Sequence, residues 1–128
     1  MYCLDATFLI DLQAGEPEAV ARARHWEVSR ERVAVPLPAL VEWLRGSYFK
    51  GGRTLRAALE LAENIEVLPA DLAMGHDAAR FGADAARNGR ALSASDLLIV
   101  AIVRHHHAIL VTRDPDFSGL PGLPVEVY

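Results

Sequence analysis

A chain of 128 residues with a net charge of −4 has the size of one domain, expected to span residues 1–128, and is not a generally basic nucleic-acid coat. Its single cysteine excludes an internal disulfide. The longest unbroken apolar run, Leu97 to Val103, falls far short of the ~20 residues that a membrane span requires.

The opening "MYCLDATFLIDL" lacks a basic start and is interrupted by Asp5 and Asp11, which predicts no signal peptide and a soluble, cytoplasmic protein. Tyr2–Leu4 reads as a first strand, with Cys3 as a small buried hydrophobe. Val33–Val35, Ile65–Leu68 and Ile109–Thr112 read as further strands, continuously apolar or nearly so, as in a parallel sheet covered on both faces. Val125–Val127 alternates and reads as an edge.

Helical patterns separate these runs. Pro36 and Pro38 precede "ALVEWLRG", and proline suits the first turn of a helix. Leu55, Ala58, Leu59 and Ala62 recur at i, i+3, i+4 and i+7, as do Ala78, Phe81, Gly82 and Ala85, with Asp71 placed as a cap. "YFKGGR", 48–53, reads as a connection between two helices. Ser93 precedes "DLLIVAIVRHH" with an acid three residues on, a capping-box spacing. That helix is apolar nearly all round and should be central. Alternating strands and helices predict an α/β fold with a mainly parallel sheet.

In such sheets the functional crevice lies at the carboxyl ends of the strands. Asp5 closes the first strand, and Asp114 lies just beyond the fourth. Asp96 falls in the first turn of the central helix, and Glu42 lies in the helix after the second strand. Each has a plainer reading. Asp5 caps a helix, Asp96 favours a positive helix end, Asp114 and Asp116 form a turn about Pro115, and Glu42 pairs with Arg45. Val41, Trp43 and Leu44 surround Glu42 and predict a largely buried helix, where an acid needs a partner. Together the four acids say more than each alone. Clustered carboxylates repel, and a divalent cation relieves them. Oxygen ligands without His or Cys favour Mg²⁺ or Mn²⁺ over Zn²⁺. His105, His106 and His107 fan ~100° apart on a helix end and cannot share one metal. No phosphate-binding glycine motif is present.

"YCLDATFLIDL", "PALVEWLRG", "ALSASDLLIVAIV" and "LVTRDPDF" resemble, in order and spacing, the motifs of PIN-domain proteins, and among these the VapC-like toxin ribonucleases of type II toxin–antitoxin pairs. The resemblance covers the whole chain. It implies a PIN-like three-layer α/β/α fold with a five-stranded sheet and a ribonuclease dependent on Mg²⁺ or Mn²⁺. It also implies an RNA substrate, a cognate antitoxin as partner, and a homodimer. Asp5, Glu42, Asp96 and Asp114 match the family's acidic quartet and Asp116 its more variable acid. The corresponding hypothesis is metal-assisted phosphodiester hydrolysis. Asp5, Asp96 and Asp114 hold metal, with Asp116 as an optional ligand, and Glu42 orients water or acts as base. Thr7 and Thr112 support the carboxylates. Arg113 is the first candidate for a phosphate contact, with Arg45, Lys50, Arg53 and Arg56 as part of a basic rim. The alternatives are a catalytically silent PIN-like module that binds RNA or protein, a DNA-directed nuclease, and a phospho-receiver domain. The last needs a lysine after a late strand, whereas the sole lysine is Lys50.

Overall fold

The computed structural model describes all residues, 1–128. Five strands form one sheet in the order β3-β2-β1-β4-β5, and every pairing in it is parallel. The strands are β1 (Tyr2–Leu4), β2 (Val33–Pro36), β3 (Glu66–Leu68), β4 (Ile109–Val111) and β5 (Val125–Glu126). The sequence bounds hold to within a residue. β5 is an edge as expected, and β3 is the other, which explains why Glu66 stays exposed. β1 is central: Cys3 pairs with Ala34 on one side and Leu110 on the other. The outcome is the five-stranded α/β/α arrangement of the PIN type, all parallel rather than mainly so.

The helices are α1 (Ala6–Ala14), α2 (Pro17–Ser29), α3 (Leu37–Lys50), α4 (Gly52–Glu63), α5 (Leu72–Arg87) and α6 (Ala94–His105). Asp71 and Ser93 cap α5 and α6 as the spacing predicts, accepting from the Met74 and Asp96 amides. The region 48–53 differs from expectation. α3 continues through Lys50, and only Gly51, at φ 64°, separates it from α4. A positive φ is available to glycine at no steric cost, so one residue suffices to break the helix axis.

α6 delivers five consecutive buried residues, Ile99 to Val103, as its apolar run requires. They pack with Phe8 and Leu9 of α1, Trp43 of α3, and Leu110 and Val111 of β4 in one continuous core. Each large side chain sealed there contributes about 1.5–3 kcal/mol relative to exposure. This packing fixes the start of α1, the first half of α3 and the start of α6 against the carboxyl end of the sheet. No helix is long and apolar enough to cross a membrane.

Candidate active site

Asp5 follows β1 directly and occupies the position that opens α1. Its carboxylate makes no capping hydrogen bond to that helix. It is turned instead into the structure, where the residue is 3% exposed. Oδ2 accepts from Thr112 Oγ1 at 2.7 Å and from Thr7 Oγ1 at 3.2 Å. The two hydroxyls stand 3.3 Å apart. Oδ1 accepts nothing, yet it is not sealed off as an unpartnered buried atom. One oxygen is therefore consumed in holding the side chain and the other is left open. Thr7 and Thr112 have the supporting contacts expected of them.

Asp114 stands three residues beyond β4, at the start of a 3₁₀ turn (Pro115–Phe117). Its amide donates to Thr112 Oγ1 at 3.0 Å, and its Oδ1 accepts from the Asp116 amide at 2.9 Å. The turn reading and the site reading of "RDPDF" are thus compatible. Asp114 forms the Asx turn and also joins the chain of hydrogen bonds that ends on Asp5. Asp116 is exposed, on the outer side of that turn. Arg90 braces the far side, donating to the Asp116 and Ser118 carbonyls at 2.7 and 2.8 Å.

Asp96 and Glu42 enter from the helices. Asp96 is the third residue of α6, half-buried. Burial pushes its carboxyl above the ordinary range. Ser93 opposes the shift through a hydrogen bond, and the charges of Asp114, Asp5 and Asp116 add to it. Glu42, six residues into α3, is exposed as a residue, which corrects the expectation of a largely buried helix: Val41 beside it is 57% exposed. Its carboxyl is nevertheless crowded. Desolvation raises its pKa first, and the charges of Asp5, Asp96 and Asp114 raise it further, with Arg45 acting the other way. Four acids far apart in sequence therefore lie within electrostatic reach of one another.

No three His, Cys, Asp or Glu side chains stand close enough, as placed, to hold a metal ion. Carboxylates with no cation between them repel. The donor set still fits a hard divalent cation. It is all oxygen, the charges of Asp5 and Asp114 add to the raised pKa of Glu42 and Asp96, and Asp5 keeps a free oxygen on a fixed side chain. Asp5, Asp96 and Asp114 would hold the ion.

The basic residues are arranged differently. Arg45 is the one whose charge acts on Glu42. Lys50, Arg53 and Arg56 are exposed at and beyond the α3–α4 junction and are not among the main charges acting on Glu42 or Asp96. Arg113 is committed elsewhere. Its Nε and Nη2 donate to Asp11 Oδ2 and Oδ1 at 2.6 and 3.0 Å. Sequence reasoning passed over Asp11 and Arg90. An acid six residues after Asp5 on the same short helix was the available sign for the first. A concavity of about 850 Å³ between α5, α6 and residues 119–122 contains none of the quartet. Volume alone does not mark this site.

A parallel α/β/α sheet with carboxylates gathered at its strand ends defines the class: an α/β/α fold with an acidic crevice. The PIN-domain profile matches residues 2–123, and the chain belongs to the PIN-domain family. Solved structures agree on the fold. The VapBC2 complex of Rickettsia felis bound to a DNA fragment from its promoter superposes with a TM-score of 0.83 at 18% identity, over 99% of this chain and 98% of that one. VapC20 of Mycobacterium tuberculosis, described as a sarcin–ricin loop cleaving toxin, gives 0.70 at 19%, over 96% and 98%. VapBC-5 of the same organism, a member of the VapBC family of toxin–antitoxin systems, gives 0.62 at 30%, over 76% and 81%. A comparison with curated proteins finds no match.

Proposed function

We propose that this protein is a metal-dependent endoribonuclease, the toxin of a toxin–antitoxin pair, acting on RNA in the cytoplasm. The observation that carries the reading is the convergence of Asp5, Asp96 and Asp114 on Glu42, whose carboxyl is raised first by burial and then further by those three charges. Membership in the PIN-domain family supports a hydrolase. VapC20, the sarcin–ricin loop cleaving toxin, supports RNA as the substrate class.

Asp5, Asp96 and Asp114 hold Mg²⁺ or Mn²⁺, with Asp116 as an outer ligand. When bound, the cation supplies Lewis acidity, lowering the pKa of water and shielding charge on the phosphate. Thr112 and Thr7 keep Asp5 in one orientation, which limits the reorganisation the site undergoes on loading. Glu42 takes the proton of the attacking water. A carboxylate whose pKa is raised toward neutrality is a better base than an ordinary one, and its exposure leaves room for water beside it. Arg45, one turn further along α3, serves the phosphate as a mobile cation.

The partners are a cognate antitoxin and a second copy of the chain. Leu37, Val41 and Tyr48 form a stripe along one side of α3 at 40, 57 and 60% exposure, and Phe49 beside them is 92% exposed. Large apolar side chains aligned on one helix face mark a contact surface. The VapBC neighbours, which pair a toxin with an antitoxin, support a protein partner.

The test is cleavage of total RNA by purified protein. Cutting should require Mg²⁺ or Mn²⁺, stop in EDTA, and disappear in Asp96→Asn while the circular dichroism spectrum is kept. Full activity in EDTA overturns the metal mechanism, and cutting of DNA but not RNA overturns the substrate.

A further inference from the structure

Arg113 sits between the residue that holds Asp5 and the residue that completes the acid quartet. Its guanidinium grips both oxygens of Asp11, and Tyr128 donates its hydroxyl to Asp11 Oδ2 at 2.7 Å. The Asp11 side chain is 13% exposed against 52% for Arg113, so the buried member is the acid on the helix. Asp11 and Asp5 share α1, six residues apart, or roughly 9 Å of helix rise. The segment 112–114 therefore meets one rigid rod at two places: Thr112 at its start, through Asp5, and Arg113 further along, through Asp11.

We propose that Asp11 is a positioning residue for the acid site. Its hold on Arg113 sets where Asp114 enters the crevice, so that affinity for a divalent cation depends on a carboxylate that does not ligate it. This rests on reading the quartet as a metal site. A bidentate arginine–carboxylate pair fixes direction as well as distance. Beyond the main-chain link to Thr112, the turn that follows Arg113 is closed by Asp114 itself and braced by Arg90 through carbonyls. Neither of those ties the turn to α1; the Arg113 fork does, and the only other link is the longer bond from the Arg113 amide to Thr7 Oγ1 at 3.4 Å. Losing the fork leaves the bonds of Thr112 to Asp5 and to the Asp114 amide, and the sheet, intact, but removes the one contact that fixes the direction in which the segment runs, so Asp114 is held less firmly.

The variants are Asp11→Ala, the charge-keeping Arg113→Lys, and the swapped pair D11R/R113D. Calorimetric Mn²⁺ titration of metal-stripped protein should show affinity about tenfold weaker in the two single variants. Amide exchange at Asp114 should run about tenfold faster, with β1 and β4 unchanged. The swapped pair should recover most of both. In RNA cleavage, the Mn²⁺ requirement should rise while kcat at saturating Mn²⁺ holds. Unchanged Mn²⁺ affinity in folded Asp11→Ala and Arg113→Lys overturns the positioning role and leaves the metal site standing. Exchange that speeds equally through β1 and β4 overturns it too, by making Asp11 a general structural residue. Wild-type protein that binds no Mn²⁺ overturns the metal-site reading itself.

Discussion

Thr112 Oγ1 donates a 2.7 Å hydrogen bond to Asp5 Oδ2 and joins the ends of β4 and β1 across 107 positions of sequence. The same oxygen accepts from the Asp114 amide, so one hydroxyl is donor to the first site acid and acceptor from the last. A hydroxyl used in both directions polarises each bond it makes.

Thr112→Val keeps the shape and deletes that hydroxyl. Asp5 is then a buried carboxylate short of its better donor, and the Asp114 amide loses its acceptor. Equilibrium urea unfolding should show a loss of about 2–3 kcal/mol. Thr112→Ser, which keeps the hydroxyl, should lose less than about 1 kcal/mol. Equal losses would mean that packing, not the hydrogen bond, sets the cost.

Asp96→Asn should raise the stability of the metal-free protein at pH 7. The folded-state pKa of Asp96 is raised, by burial first, so its ionised form destabilises the fold. That penalty is present above the folded pKa and disappears as pH falls below the ordinary carboxyl range. The melting temperature gain in EDTA should therefore fade toward pH 3. On the proposed metal site, added Mn²⁺ should stabilise wild type more than the variant, because a ligand of the folded state alone stabilises it. RNA cleavage by the variant should fall about a hundredfold or more.

The Asp11–Arg113–Tyr128 cluster predicts two pH arms. Burial alone would raise Asp11, but hydrogen bonds from Arg113 and Tyr128 and the charge of Arg113 outweigh it and hold its carboxyl below the usual range. Its stabilisation is present above the unfolded pKa of about 3.9 and is lost as pH falls through the folded value. Tyr128, pushed up to about 12 by burial and then by Asp11, stays neutral in the fold after the unfolded chain begins to ionise. Stability then falls as pH rises from about 10 toward 12. Urea midpoints across pH should show a shallower acid arm in Asp11→Asn and a shallower alkaline arm in Tyr128→Phe.

Gly82 is where α5 packs against the start of α6. A Cβ there would lie 2.5 Å from Leu97 Cδ1, next in sequence to Asp96. Alanine gains about 1 kcal/mol of helix propensity over glycine but must displace the end of that leucine. Gly82→Ala and Leu97→Ala should therefore be non-additive, with a coupling of about 1 kcal/mol in a double-mutant cycle and the double variant better than the sum. Additivity would mean that Leu97 moves aside freely.

The acids at the strand ends were legible because strand ends, helix caps and apolar runs are local signals. Asp5, Asp96 and Asp114 fall where those signals place them, and so do the caps Asp71 and Ser93. What stayed hidden was long-range or surface-borne. Arg113 adjoins Asp114 in sequence, but its partner lies 102 positions away, a contact no local pattern carries. Glu42 was read as buried from its apolar neighbours, yet Val41 belongs to an outward stripe. A helix with apolar residues on two sides looks like one sunk in the core. The exposed aromatics of α3 misled in the same way: Tyr48 and Phe49 read as the start of a connection, when they continue the helix to its glycine. α2 was not singled out because its apolar residues are sparse, leaving Gly15 and Pro17 as its only punctuation.

The all-parallel sheet orders events during synthesis. β1 and β2 are made early, but the partner that completes Asp5 comes from β4, and Thr112 and Asp114 follow it. A nascent chain cannot close this crevice until residue 114 has cleared the ribosome, because no shorter stretch brings the acids together. Incomplete chains, released or stalled, therefore lack the assembled crevice: the topology works as a timer that withholds it until the fold is nearly whole.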